Sequence, residues 1–72
     1  MTTGREWIAA FAAEVGAEPL DDATIDTLLE VAGVAAHASE RIAAPVACYI
    51  AGRAGLDPAA ALAAAARVAP AP

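Results

Sequence analysis

Large apolar residues recur along this chain at helical spacing, and glycine, proline and acidic residues interrupt them. The pattern predicts four helices. Trp7, Ile8, Phe11 and Val15 fall on one face of the first, at i, i+1, i+4 and i+8. Thr3 and Glu6 stand at the spacing of a capping box just ahead of that run. Gly16 suits the left-handed position after a helix, and Pro19 prevents continuation. The second helix begins near Asp21 or Asp22, acids that cap free amides and meet the positive end of the helix dipole. Its expected buried stripe is Ile25, Leu28, Leu29, Ala32 and Ala36, with Val31 or Val34 at the edge, and it is expected to run to about Ser39–Arg41. Gly33, inside this helix, costs about 1 kcal/mol against alanine, and close approach of another helix is the expected reason for it.

Pro45 belongs in the first turn of the third helix, where its missing N–H costs nothing. Val46, Tyr49, Ile50 and Arg53 repeat at i, i+3, i+4 and i+7, and Gly55 closes the helix with Leu56 placed for the accompanying apolar contact. Asp57 and Pro58 supply a cap and a first turn for the fourth helix, whose larger contacts are Leu62 and Val68. No run alternates with period two. The expected fold is therefore all-α, a single small four-helix domain over residues 1–69 with a flexible tail at 70–72. Trp7, Ile8, Phe11, Ile25, Leu28, Leu29, Val46, Ile50 and Leu62 are its expected core.

Composition narrows this picture. Sixty per cent of the 72 residues count as hydrophobic, but 24 are alanine, leaving 19 larger apolar residues of which three are aromatic. One domain of this size has a marginal core. The net charge is −5, with four arginines and no lysine, so the chain is a poor ligand for nucleic acid, whose affinity comes from cations that displace counterions. The same balance argues against a polybasic membrane anchor. The longest uncharged run, residues 42–52, falls short of the roughly 18–20 residues that span a bilayer. Arg5 and Glu6 precede any apolar run, unlike a secretory leader. Cys48 is the only cysteine, and among apolar neighbours it reads as an inert packed thiol. A cytoplasmic protein fits these features.

Candidate chemistry is sparse. His37 and Arg41, four residues apart, share a face if the second helix reaches them. They then form either an anion site or a pair that satisfies terminal carbonyls and the negative dipole end. Ser39, His37 and Glu40 have a triad's composition, but neighbours at i and i+2 on a helix point apart. Asp21, Asp22 and Asp26 lack the ligand density of a calcium loop. Gly52 and Gly55 form a G-x-x-G that reads as a helix end, not a nucleotide clamp. The fourth helix offers only Arg67 as a polar reader of bases, so a helix-turn-helix reading fails. Residues 20–24 contain no serine for the phosphopantetheine of an acyl carrier protein.

The stretch Leu28-Leu29-Glu30-Val31-Ala32, then Ala36-His37, Arg41, Ala44-Pro45-Val46 and Tyr49-Ile50-Ala51-Gly52, resembles a small actinobacterial helical domain of unknown function. That domain is found alone or fused to a nucleotidyltransferase similar to molybdopterin-guanine dinucleotide biosynthesis protein A. Trp7 and the closing alanine helix after Asp57 are also similar, so the resemblance covers roughly residues 5–69. Gly33, Cys48 and Arg53 depart from the pattern without breaking its spacing. The resemblance implies a link to molybdenum-cofactor metabolism. It does not imply guanylyl transfer, which needs a glycine-rich nucleotide loop and metal-binding acids that this chain lacks.

The expected function is thus a non-enzymatic accessory or protein-interaction module. It requires no cofactor and partners a molybdenum-cofactor nucleotidyltransferase or related enzyme, with His37, Arg41, Tyr49 and Arg53 as the candidate partner or ligand face. The alternatives are a binder of small anions or nucleotides at His37 and Arg41, and a structural homo-oligomer held by alanine-lined faces.

Overall fold

The computed structural model describes residues 2–68, and over them the chain forms four α-helices: α1 (Gly4–Glu14), α2 (Asp22–Ala38), α3 (Ala43–Arg53) and α4 (Pro58–Val68). The tail expected at 70–72 lies outside the described residues.

Local chemistry sets the helix ends. Thr3 and Glu6 close a reciprocal capping box on α1: the Glu6 N–H donates to the Thr3 hydroxyl at 3.1 Å and the Thr3 N–H donates to the Glu6 carboxylate at 2.9 Å. Asp21 accepts from the Thr24 N–H on α2, and Asp57 accepts from the Ala60 N–H on α4, both at 2.8 Å. Helices α1 and α3 end alike. Gly16 and Gly55 take φ of +73° and +78°. The amide after each glycine reaches back five residues, Ala17 to the Ala12 carbonyl and Leu56 to the Ala51 carbonyl. This is the Schellman arrangement, and it needs a residue that tolerates the left-handed region.

Helix α3 starts without a polar cap. The turn leading into it takes over that task, since the Ala43 and Ala44 amides donate to the Glu40 and Arg41 carbonyls. Pro45 has no amide to satisfy.

Helix α2 is the spine. Both α3 and α4 pack along it, and they meet each other only briefly. Ile25, Val31 and Ala61 are the buried apolar residues, Val31 most deeply at 2% exposure. The expected stripe on α2 is rotated: Val31, not Leu29, is at its centre, and Leu29 faces solvent. Two helices packing on α2 draw inward the arc running through Leu28, Val31 and Ala35. Gly33 lies outside that arc, and a Cβ there would meet nothing within 4 Å. Close helix approach is therefore not its explanation.

Helix α1 departs most from expectation. None of its Cα atoms comes within 8 Å of a Cα in another helix. Ile8 and Ala12 are half-buried on its inner side, and Arg5 on the same side reaches α2 by ion pairs to Asp22 at 3.1 Å and Asp26 at 2.7 Å. Trp7, Phe11 and Val15 remain 52–59% exposed. Of the nine expected core residues, Trp7, Phe11, Leu29, Val46 and Ile50 are exposed, as is Val68 of α4, while Ile8, Leu28 and Leu62 are partly covered. The chain has too few bulky residues to close four helices on one centre. Its radius of gyration is 12.8 Å, against about 11 Å for a compact chain of this length.

Candidate functional site

The four candidate residues fall on three different pieces of backbone. His37 lies in the last turn of α2, and Tyr49 and Arg53 lie on α3. Arg41 lies in the turn between these helices, because α2 stops at Ala38. Ser39 leaves helical geometry (φ −143°, ψ −99°) and its hydroxyl donates to the Ala35 carbonyl at 2.7 Å. That bond satisfies a terminal carbonyl, the task expected of the His37 and Arg41 pair. His37 and Arg41 therefore do not share a helical face. Both are exposed, and among the described residues neither side chain makes a hydrogen bond or an ion pair. The Ser39 bond also removes the triad composition from consideration, since the hydroxyl is turned to backbone.

Tyr49 and Arg53 do share a face, four residues apart. Ile42 and Val46 extend it, giving Ile42, Val46, Tyr49 and Arg53 at i, i+4, i+7 and i+11. Ile42, Val46 and Tyr49 are 72%, 56% and 66% exposed, and Arg53 is exposed at the C-terminal end of the stripe, where a cation complements the helix dipole. The opposite side of α3 is in contact with α2, where the Cys48 thiol lies 3.9 Å from the Leu28 carbonyl. The stripe thus stands clear of the packing surface. Helical spacing already grouped Val46 with Tyr49 and Arg53 but assigned Val46 to the core, and Ile42, 72% exposed, was not among the candidates.

Two further surfaces were not foreseen. Trp7 and Phe11 stack on α1 with ring centroids 5.3 Å apart and planes within 8°, forming an exposed aromatic ridge. Between α2, α3 and α4 lies a groove of about 610 Å³, walled by Val34, Ile50 and Leu56 and floored by alanines. Ser39 is the one lining residue with a polar side chain. The groove exists because alanines face one another from three helices, a tertiary coincidence that no local signal reveals.

The acids expected as a weak metal candidate are committed elsewhere. Asp21 caps α2, and Asp22 and Asp26 bind Arg5. The hydrogen bond that Arg5 donates to Asp26, together with the charges of Asp26 and Asp22, raises the Arg5 pKa above its ordinary value. Among the described residues no three of the histidine, cysteine, aspartate and glutamate side chains are grouped to hold a metal ion, and no helix is long and apolar enough to cross a membrane.

The sequence model of a family described as Domain of unknown function (DUF6457) matches residues 1–71. No curated protein and no solved structure matches the chain.

Proposed function

The chain belongs to the DUF6457 family, and we propose that it is a non-enzymatic, cytoplasmic interaction module that docks on an enzyme of molybdenum-cofactor biosynthesis through the exposed stripe of α3. The observation that carries the docking surface is the alignment of Ile42, Val46, Tyr49 and Arg53 on one solvent-facing side of a helix. An aromatic residue and an arginine flanked by aliphatic side chains match the composition of interface centres. The choice of partner rests on the sequence resemblance to a domain found alone or fused to nucleotidyltransferases similar to molybdopterin-guanine dinucleotide biosynthesis protein A. The non-enzymatic part of the reading rests on the scatter of His37, Arg41, Tyr49 and Arg53 over open surface. The anion-binding alternative loses its motive, because the end of α2 at Ala38 removes the shared helical face it required.

Calorimetric titration of the purified chain into the molybdopterin-guanine dinucleotide nucleotidyltransferase of the same organism tests the proposal. Binding is expected, weakened more than about tenfold by Val46→Ala with Tyr49→Ala and little changed by His37→Ala. A flat titration with the unaltered chain, or equal affinity for the double variant, sinks it.

A further inference from the structure

We propose that the Trp7–Phe11 face of α1 is a second docking surface, separate from the α3 stripe, and that it takes a basic amphipathic helix of another protein.

The ridge is left uncovered by its own chain. Trp7, Phe11 and Val15 are more than half exposed, with the two rings stacked on each other. Helices in contact lie about 8–10 Å apart axis to axis, whereas no Cα of α1 comes within 8 Å of a Cα in another helix. This flank of α1 is therefore open to one more helix. Leu29, 58% exposed, adds an apolar position on α2. It follows Asp22 by seven residues and Asp26 by three, on the side of α2 that Arg5 reaches.

Charge selects the occupant. Residues 1–30 carry Arg5 against seven acids, net −6, in a chain whose net charge is −5. Four of the seven have structural tasks: Glu6 and Asp21 cap helices, and Asp22 and Asp26 bind Arg5. Glu14, Glu18 and Glu30 have none. All three are exposed, and among the described residues none makes an ion pair. Two of them border the apolar positions. Glu14 follows Phe11 by three residues and Trp7 by seven, on the ridge's own face, and Glu30 follows Asp26 by four beside Leu29. Glu14 is also the last residue of α1, with no cation in that turn, where a carboxylate opposes the helix dipole. Its place weakens α1 and suits a cation brought from outside, since Arg5 is already taken by Asp22 and Asp26. An aromatic ridge bordered by free carboxylates is complementary to a helix with aliphatic side chains on one face and lysine or arginine at its edges. The rest of this chain does not fit that description, because Arg41, Arg53 and Arg67 are offset by Glu40 and Asp57. A second copy is the less complementary occupant.

The test titrates the full chain with a tryptophan-free peptide of about 18 residues, leucine along one helical face and lysine elsewhere, and with its counterpart carrying glutamate for lysine. Trp7, the one tryptophan, reports through its emission. The lysine peptide is expected to shift that emission to the blue and to saturate at one peptide per chain, less tightly at high salt. The glutamate peptide should leave it unmoved. Phe11→Ala should weaken binding more than about tenfold. Glu14→Lys should weaken it about tenfold while helicity, read by circular dichroism, is kept or raised, because a cation suits the end of α1. That pairing separates lost binding from lost fold. Glu40→Lys makes the same change in net charge away from the ridge and should alter affinity less than about twofold. Emission unmoved by the lysine peptide overturns the proposal. So do equal losses in the two charge-reversed variants, which would make the attraction one of net charge alone. A blue shift that grows with the chain's own concentration, without peptide, also overturns it and gives the ridge to a second copy.

Discussion

The Arg5 guanidinium on α1 meets the Asp26 carboxylate on α2 at 2.7 Å, and with the longer contact to Asp22 it is the polar link between a helix that packs on nothing closely and the rest of the chain. Both partners are substantially exposed, so the tie is open to screening. Asp26→Asn is expected to speed amide hydrogen exchange in Gly4–Glu14 several-fold and to leave α2, α3 and α4 unchanged. Raising the salt concentration should act on the same amides in the same direction. Unchanged exchange in α1 would mean that Ile8 and Ala12 hold the helix without Arg5.

Val31 and Leu29 separate what the sequence of α2 reveals from what it conceals. Both lie in a helix that was legible from Asp21, the apolar spacing and the alanine content. Caps and Schellman ends depend on residues three to five apart, so the ends at Thr3, Gly16, Gly55 and Asp57 were legible too. Which arc of α2 is buried depends on where α3 and α4 land, and nothing local encodes that. Val31→Ala is expected to destabilise the chain by about 1.5–3 kcal/mol, from lost burial and the cavity left behind. Leu29→Ala, at an exposed position, should stay within about 0.5 kcal/mol. Urea unfolding followed by circular dichroism measures both, and a larger loss at Leu29 would contradict the rotated stripe.

Gly33 offers a gain in stability. It lies inside α2 with open space where a Cβ would stand, so Gly33→Ala adds helix propensity without a clash. The expected gain is about 1 kcal/mol, or a Tm higher by roughly 4–8 °C for a domain of this size. Gly55→Ala should lower the Tm, because alanine is strained at φ +78°. Thermal melts of the two variants beside the unaltered chain check the opposed signs.

The candidate site was legible only where a helix continues. Tyr49 and Arg53 share a face because α3 runs through both, and helical spacing alone gives that. His37 and Arg41 were paired by the same rule and do not share a face, since Ser39 bonds back to Ala35 and the chain leaves the helix there. No glycine or proline marks that stop. The stacked Trp7 and Phe11 were legible as a pair but not as a surface. A helix covered by its own chain and one left for another molecule carry the same apolar spacing, and the difference lies in the distance to the neighbouring helix.

Acid should loosen the N-termini of α1 and α2 before anything else. The Glu6 carboxylate sits below its ordinary pKa because the Thr3 N–H and hydroxyl hydrogen-bond to its charged form. The Asp21 carboxylate is lowered by the Thr24 hydroxyl and N–H. For a carboxylate whose pKa is depressed by folding, the unfolded chain takes up the proton first, so its contribution to stability is present in full above the unfolded value near pH 4 and is lost as pH falls through the lower folded value. Helicity is therefore expected to hold from neutrality to about pH 4 and to decline below it, with the Thr3 and Thr24 amide resonances moving first. Glu6→Gln keeps the side chain's acceptor oxygen but removes its charge, and should flatten the Thr3 titration while leaving that of Thr24 intact. If both amides titrate unchanged in that variant, other carboxylates control the acid response.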